Sequence, residues 1–171
     1  MKKAIVIGSP GAGKSHFSKR LAEITALPLH HLDLIWHKPD RTNISREEFD
    51  EALSGILSLD EWIIDGNYQR TLDVRLDACD TVFFLDYPVE VCLAGATERV
   101  GKKRDDMPWI EEELDEEFRK FIIDFASDTA PKIRKMLSKS LKKQIIVFKT
   151  RKESDDYIKA LVETSAGREA G

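Results

Sequence analysis

Gly8-Ser9-Pro10-Gly11-Ala12-Gly13-Lys14-Ser15 is the stretch on which the reading of this chain turns. It fits the pattern Gly-x4-Gly-Lys-Ser and stands between a short β-branched run, Lys3–Ile7, and a segment carrying Phe17, Leu21 and Ile24 at helical spacing. Gly8, Gly11 and Gly13 let the backbone curl with its N–H groups inward, through angles that side chains resist. A helix opening at Lys14 points its positive end at the same spot. The pattern therefore predicts a phosphate cradle. Lys14 reaches the β- and γ-phosphates of a nucleotide, and the Ser15 hydroxyl completes the shell of Mg²⁺. Ala12 and His16 are expected beside the same nucleotide. A chance match is expected in under about one chain of this length in a hundred.

Outward from the loop, strand-like and helix-like stretches alternate. Lys3–Ile7, Leu27–Leu32, Trp62–Asp65, Thr81–Asp86 and Gln144–Phe148 read as short buried strands. Between them, Lys14–Ala26 reads as a helix, and Ser45 with Glu48 forms a capping-box pattern ahead of Phe49, Leu53 and Ile56. Pro88 is placed to open a helix through Val91, Ala94 and Glu98. Leu114, Phe118, Phe121 and Phe125 mark another helix, Ile133, Leu137 and Leu141 one more, and Tyr157, Ile158, Leu161 and Val162 a closing one. Five apolar strands separated by helices imply an α/β fold, a parallel sheet covered on both faces, with ligands at the carboxyl ends of its strands.

The 171 residues suit one domain, with a polar tail over 164–171 expected to fray. A net charge of −4 makes nucleic acid an unexpected partner, since such binding draws on a basic surplus. Cys79 and Cys92 lie in or beside apolar stretches and read as buried reduced thiols. The apolar run Ala4–Ile7 is too short for a signal-peptide core, and no run is long enough for a membrane span, so a cytoplasmic protein is expected.

Further motifs narrow the class. No Asn-Lys-x-Asp segment of the guanine-reading kind occurs, and motor-type ATPases carry elements for which there is no room. Trp62-Ile-Ile-Asp65-Gly66-Asn67-Tyr68, followed by Arg70 and Thr71, resembles the Asp-Gly segment of adenylate kinases. Asp86-Tyr-Pro88 with Arg99, Lys102, Lys103 and Arg104 is similar to that family's approach to its lid. A closer resemblance is to bacterial adenylate-kinase-like proteins labelled DNA topology modulation proteins. It runs through Leu32-Asp33, Trp36, Pro39, Asp65–Tyr68, Arg75, Asp80 and Leu85-Asp86. The resemblance covers the chain from Lys3 to about Tyr157. It implies the three-layer P-loop fold of nucleoside and nucleotide kinases, with a five-stranded parallel sheet, an acceptor-binding insertion at about 31–59 and a short lid at about 101–110. It also implies phosphoryl transfer from ATP·Mg²⁺.

Several residues are candidates for that chemistry. Asp65 and Asp86 each close an apolar strand and compete to hold Mg²⁺ opposite Ser15, the family pattern favouring Asp65. Asp33 is placed to receive the acceptor hydroxyl, with Trp36 as an aromatic wall. Gly66, Asn67 and Tyr68 are expected along the acceptor, and Tyr68 and Trp109 are candidates to stack on a base. Arg70 and Arg75 are candidates for phosphate binding, and Arg99, Lys102 and Arg104 for the clamp on the transferring group. Arg134 is a lesser candidate of the same kind. The cluster His30, His31, Asp33 and His37 resembles a metal site, but neighbours on a strand point to opposite faces and no second ligand group is apparent, so a metal site is not expected there. The acidic run Glu111–Glu117 reads as the outer face of a helix.

The expected activity is transfer of the γ-phosphoryl group of ATP to a small nucleoside- or nucleotide-like acceptor, with Lys14, Asp33 and Arg99 as the catalytic group. The lid is short and lacks a zinc-type cysteine set, unlike full-length adenylate kinases. The alternatives are a nucleotide-dependent regulator or NTPase acting on a macromolecular partner, possible DNA among them, and a nucleic-acid module that retains the pocket.

Overall fold

In a computed structural model, which describes residues 1–140 and 142–169, the strands are β1 (Lys3–Gly8), β2 (Leu29–His31), β3 (Trp62–Asp65), β4 (Thr81–Leu85) and β5 (Gln144–Phe148). All pair in parallel, in the order β2-β3-β1-β4-β5. The helices are α1 (Lys14–Thr25), α2 (Leu32–Trp36), α3 (Arg46–Leu57), α4 (Leu72–Ala78), α5 (Val89–Glu98), α6 (Glu116–Asp124), α7 (Ala130–Leu137) and α8 (Arg151–Glu169). The expected five-stranded sheet is the observed one, and its strand positions agree to within two residues at each end.

The alternation of side chains along β1 builds two cores. Ile5 and Ile7 pack on one face with Trp62, Ile64, Val82, Phe84, Phe49 of α3 and Leu76 of α4. Ala4 and Val6 pack on the other with Phe17 and Leu21 of α1, Phe83, Phe148 and Ile158 of α8. Apolar runs with no polar alternation are what a sheet covered on both sides requires.

Local signals set several boundaries. Ser45 and Glu48 close the capping box reciprocally, at 3.1 and 2.7 Å, and start α3. Asp115 accepts from the Phe118 N–H at 2.7 Å and starts α6, which passes through a π-helical turn (Phe125–Thr129) into α7. The helix α4 was not expected; it has seven residues, too few to show a period. Residues 164–169, expected to fray, continue α8, while Leu141, expected on the helix of Ile133 and Leu137, lies outside the described residues. Both cysteines are buried free thiols. No helix among the described residues is long and apolar enough to cross a membrane.

Candidate functional site

The carboxyl ends of β1 and β3 lie side by side, Val6 in register with Asp65, and the loop Gly8–Ser15 rises from β1 into α1. The loop rests on α5. A Cβ on Gly11, at φ 77°, would fall 2.0 Å from the Cys92 carbonyl oxygen, and one on Gly95 would fall 2.2 Å from the Gly11 oxygen. Gly95 therefore belongs to the loop's foundation, and nothing in its sequence surroundings marked it. Lys14 Nζ donates to the Ser9 carbonyl at 3.2 Å. Loss of water around that ammonium lowers its proton affinity, against the opposing charges of Asp65 and Asp33.

Above the loop is a cleft of about 1090 Å³. Its walls are the loop from Pro10 to Phe17, the lid segment with Arg99, Arg104 and Asp106, and an opposite side made by Asp33, Trp36, His37 and Gly66–Gln69. Ala12, Gly13, Lys14, Ser15 and His16 all line it, while Gly8 lies below, at the end of β1.

The lid is held shut by a chain of ion pairs. Ser15 Oγ donates to Asp106 at 2.5 Å. Arg104 grips the same carboxylate with Nε at 3.0 Å and Nη2 at 2.5 Å, and reaches Glu111 with Nη1 at 2.9 Å. Glu111 also accepts from Arg99 Nη2 at 3.0 Å, with Arg99 Nε 2.8 Å from its other oxygen. Glu111 thus holds two arginines together that would otherwise repel each other. Burial acts to raise the Asp106 carboxyl, but the Arg104 and Ser15 hydrogen bonds outweigh it and bring it down to about 2. Burial, then Arg104, lowers the proton affinity of Arg99, whose guanidinium lies 5.2 Å over the Phe118 ring.

Two of these residues correct the sequence reading. Glu111 was expected on the outer face of a helix, but α6 begins only at Glu116, so Glu111 is free to turn inward. Asp106 was not singled out at all, and it is 4% exposed. Lys103 lines the cleft and Lys102 does not.

On the opposite wall, Asp33 stands on α2, and its Oδ1 accepts from the Tyr68 hydroxyl at 2.8 Å. Burial, then Asp33, pushes the Tyr68 phenol up. Tyr68 stacks on Phe49 at 5.1 Å, and Trp36 meets Phe49 edge-on at 5.6 Å. Asp33 lies near enough to Lys14, Arg99 and Arg104 for its charge to act on each.

Asp65 is 4% exposed and is not itself part of the cleft lining, though the adjoining Gly66 and Asn67 are. Its Oδ2 meets His31 Nδ1 at 2.9 Å, and its Oδ1 is buried with no partner. Asp86 differs. Its two oxygens are taken by Arg134 at 2.6 and 2.8 Å and by Lys149. Arg134, a candidate for phosphate, is thereby tied to Asp86 instead.

Two other candidate arginines also have protein partners. Arg75 is fully buried, and donates to the carbonyls of Gly66 at 2.8 Å, Tyr68 at 2.7 Å and Thr71 at 3.3 Å. It braces the Asp65–Tyr68 segment from inside rather than facing a ligand. Arg70 is exposed and forks onto Asp50 at 2.9 and 2.6 Å, outside the cleft. The histidines are dispersed: His31 is on Asp65, His37 Nδ1 on Asn43 Oδ1 at 2.7 Å, and His37 also meets the Trp109 ring edge-on at 5.0 Å. Among the described residues, no group of three or more His, Cys, Asp or Glu side chains converges on a metal position.

No protein-family model matches the chain, and no curated protein matches it in sequence. Solved structures do match in fold. A shikimate kinase from Acinetobacter baumannii, in complex with shikimate, superposes at a TM-score of 0.60 and 16% identity over 98% of this chain and 95% of its own. A shikimate kinase from Bacteroides thetaiotaomicron gives 0.58 and 15% over 94% and 96%, and a gluconokinase from Sinorhizobium meliloti 1021 gives 0.57 and 12% over 96% and 91%. At such identities the likeness establishes architecture alone, and the chain has the three-layer α/β fold of the P-loop small-molecule kinases.

Proposed function

We propose that this chain is a phosphotransferase that moves the γ-phosphoryl group of ATP to a hydroxyl of a small nucleoside- or nucleotide-like acceptor. The observation that carries the reading is one cleft shared by Lys14 and Ser15 of the loop, Arg99 and Arg104 of the lid, and Asp33 with Tyr68 on the facing wall. The fold likeness to gluconokinase and shikimate kinase, whose names specify small acceptors, supports it. So does the similarity of Asp65–Tyr68 to the adenylate-kinase segment.

The residues fit a divalent cation. The orphaned Oδ1 of Asp65 is a buried acceptor, and Ser15 spends its only hydrogen on Asp106, leaving both hydroxyl lone pairs for a cation. Asp65, buried and outside the cleft lining, would act on the ion through water. Asp86 is spent on Arg134 and Lys149, so Asp65 is the metal aspartate of this reading.

When bound, ATP·Mg²⁺ supplies the phosphoryl group and neutralises charge between its phosphates. Asp33 keeps Oδ2 free of protein hydrogen bonds among the described residues while Tyr68 fixes Oδ1. Its Oδ2 accepts the hydrogen of the acceptor hydroxyl, orients that oxygen in line, and takes the proton as the new P–O bond forms and ADP departs. Lys14, Arg99 and Arg104 stabilise the charge that spreads over the equatorial oxygens. Glu111 and Asp106 leave each lid arginine with unspent N–H donors and hold its fork in place.

The test is ADP release from ATP·Mg²⁺ against a panel of nucleosides, nucleoside monophosphates and sugars, with Lys14→Ala as control. An acceptor-dependent rate that falls by about 100-fold or more in the control is expected. Hydrolysis indifferent to every acceptor would point instead to the regulator, and DNA binding with a steep salt slope to the nucleic-acid module.

A further inference from the structure

The cleft is polarised. Its cations belong to the loop, α1, the lid and α8: Lys14, Lys19, Arg20, Lys103, Arg151 and the lid arginines. The facing wall has no lysine or arginine among the described lining residues; it has Asp33, Trp36, His37, Asn67, Tyr68 and Gln69. Three arginines near that wall in sequence are engaged elsewhere, Arg41 with Glu112, Arg70 with Asp50 and Arg75 with buried carbonyls. What the wall offers is a hydrogen-bond acceptor, the Asp33 carboxylate, whose Oδ2 takes no protein hydrogen bond among the described residues.

The lid adds little positive charge of its own. Arg99 and Arg104 are matched in number by Glu111 and Asp106, which they grip at 2.5 to 3.0 Å. Donor phosphates would draw on Lys14 and on what the lid has left. An anion seated against the facing wall would meet the Asp33 carboxylate with no lysine or arginine of that wall to offset it.

Resting on the phosphotransferase reading, we propose that the acceptor is an uncharged, hydroxyl-bearing molecule with an apolar face, a nucleoside or a neutral sugar, and carries no phosphate or carboxylate. A hydroxyl of it donates to Asp33 Oδ2, and its apolar face lies on Trp36. In the transfer, one acceptor O–H gives its proton to Asp33 and its oxygen gains the γ-phosphoryl group, while the bond to the leaving oxygen of ADP breaks.

The experiment uses matched pairs: each nucleoside with its 5′-monophosphate, and glucose with gluconate. Acceptor-dependent ADP release gives kcat/KM, and calorimetric titration into protein saturated with β,γ-methylene-ATP·Mg²⁺ gives affinity separately. The uncharged member is expected to exceed its anionic partner by about 100-fold or more in both. The nucleoside and sugar arms tell the two sources apart. A monophosphate or gluconate turned over as well as its neutral partner overturns the proposal and leaves the kinase reading intact. If nothing is turned over, the kinase reading falls, and equal or absent binding of the neutral members overturns this proposal as well. Asp33→Asn supplies the charge test by binding alone: it should cut the preference against the monophosphate at least about tenfold, and an unchanged preference counts against the assignment.

Discussion

Arg75 spends its Nε, Nη1 and Nη2 on the carbonyls of Gly66, Tyr68 and Thr71, at 3.3, 2.8 and 2.7 Å for Thr71, Gly66 and Tyr68 in turn. Burial alone brings its proton affinity down, to about 10, so it remains a cation at neutral pH. Its positive fork substitutes for the ladder partners that an irregular backbone lacks. Arg75→Ala is therefore expected to cost about 3 kcal/mol or more in urea unfolding, because buried carbonyls lose their donors. Arg75→Lys should recover less than half, since one ammonium cannot span three carbonyls. Wild-type urea midpoints for both variants, with only substrate affinity reduced, would instead make Arg75 a phosphate ligand. Sequence could supply the residue type at this position but not its direction: two positions either way, at Asp73 and Asp77, the side chains are exposed.

The lid, residues 99–111, has no regular structure, and Gly101 N–H donating to the Glu111 carbonyl at 2.7 Å closes its neck. Its order comes from the side-chain strap, so its stability depends on the charge of Asp106. That carboxyl titrates near 2 when folded and near its ordinary value when unfolded. A depressed folded value stabilises above the unfolded value and is lost as the pH falls through the folded one. The strap should contribute about 2 kcal/mol at neutral pH, waning from about pH 4 toward pH 2. Measured as urea stability, the gap between wild type and Asp106→Asn should be widest at pH 7 and close as pH 2 is approached. A gap that does not vary with pH would mean that the strap's charge has no part in holding the lid. The sequence reading expected a lid at about 101–110 and named Arg99, Lys102 and Arg104 as its cations. It passed over Glu111 because an acidic run near a helix start has an adequate local explanation, and Asp106 carried no pattern of its own.

At the scale of the whole molecule, the two cores share one sheet, and every central strand contributes to both. Phe83 is fully buried on one face against Phe17 at 5.1 Å, while Trp62 is fully buried on the other. Strands shared this way transmit loss of packing across the sheet, so the chain should unfold as one unit. Phe83→Ala is expected to cost about 3–5 kcal/mol. Tryptophan fluorescence and far-UV dichroism should move to the same lower urea midpoint, although none of the three tryptophans lies in the Phe83 core. A fluorescence transition left at its wild-type midpoint would divide the molecule into two units.

Strand positions, the phosphate loop and the capping box of α3 follow from the sequence alone, since each depends on neighbours within a few residues: a run of β-branched side chains, three glycines, a serine three positions before a glutamate. The arginines show the opposite case. Arg70, Arg75, Arg99, Arg104 and Arg134 carry the same charge in sequence, yet only Arg99 and Arg104 line the cleft. Their roles depend on partners that the chain brings together from afar, Asp50 at a separation of 20 residues for Arg70 and Asp86 at 48 for Arg134. The contact of Ser15 with Asp106, across 91 residues, likewise exists only once the lid has folded over the loop. Composition and period determine which elements form; the direction of a side chain, and the charge it finds there, is decided by packing.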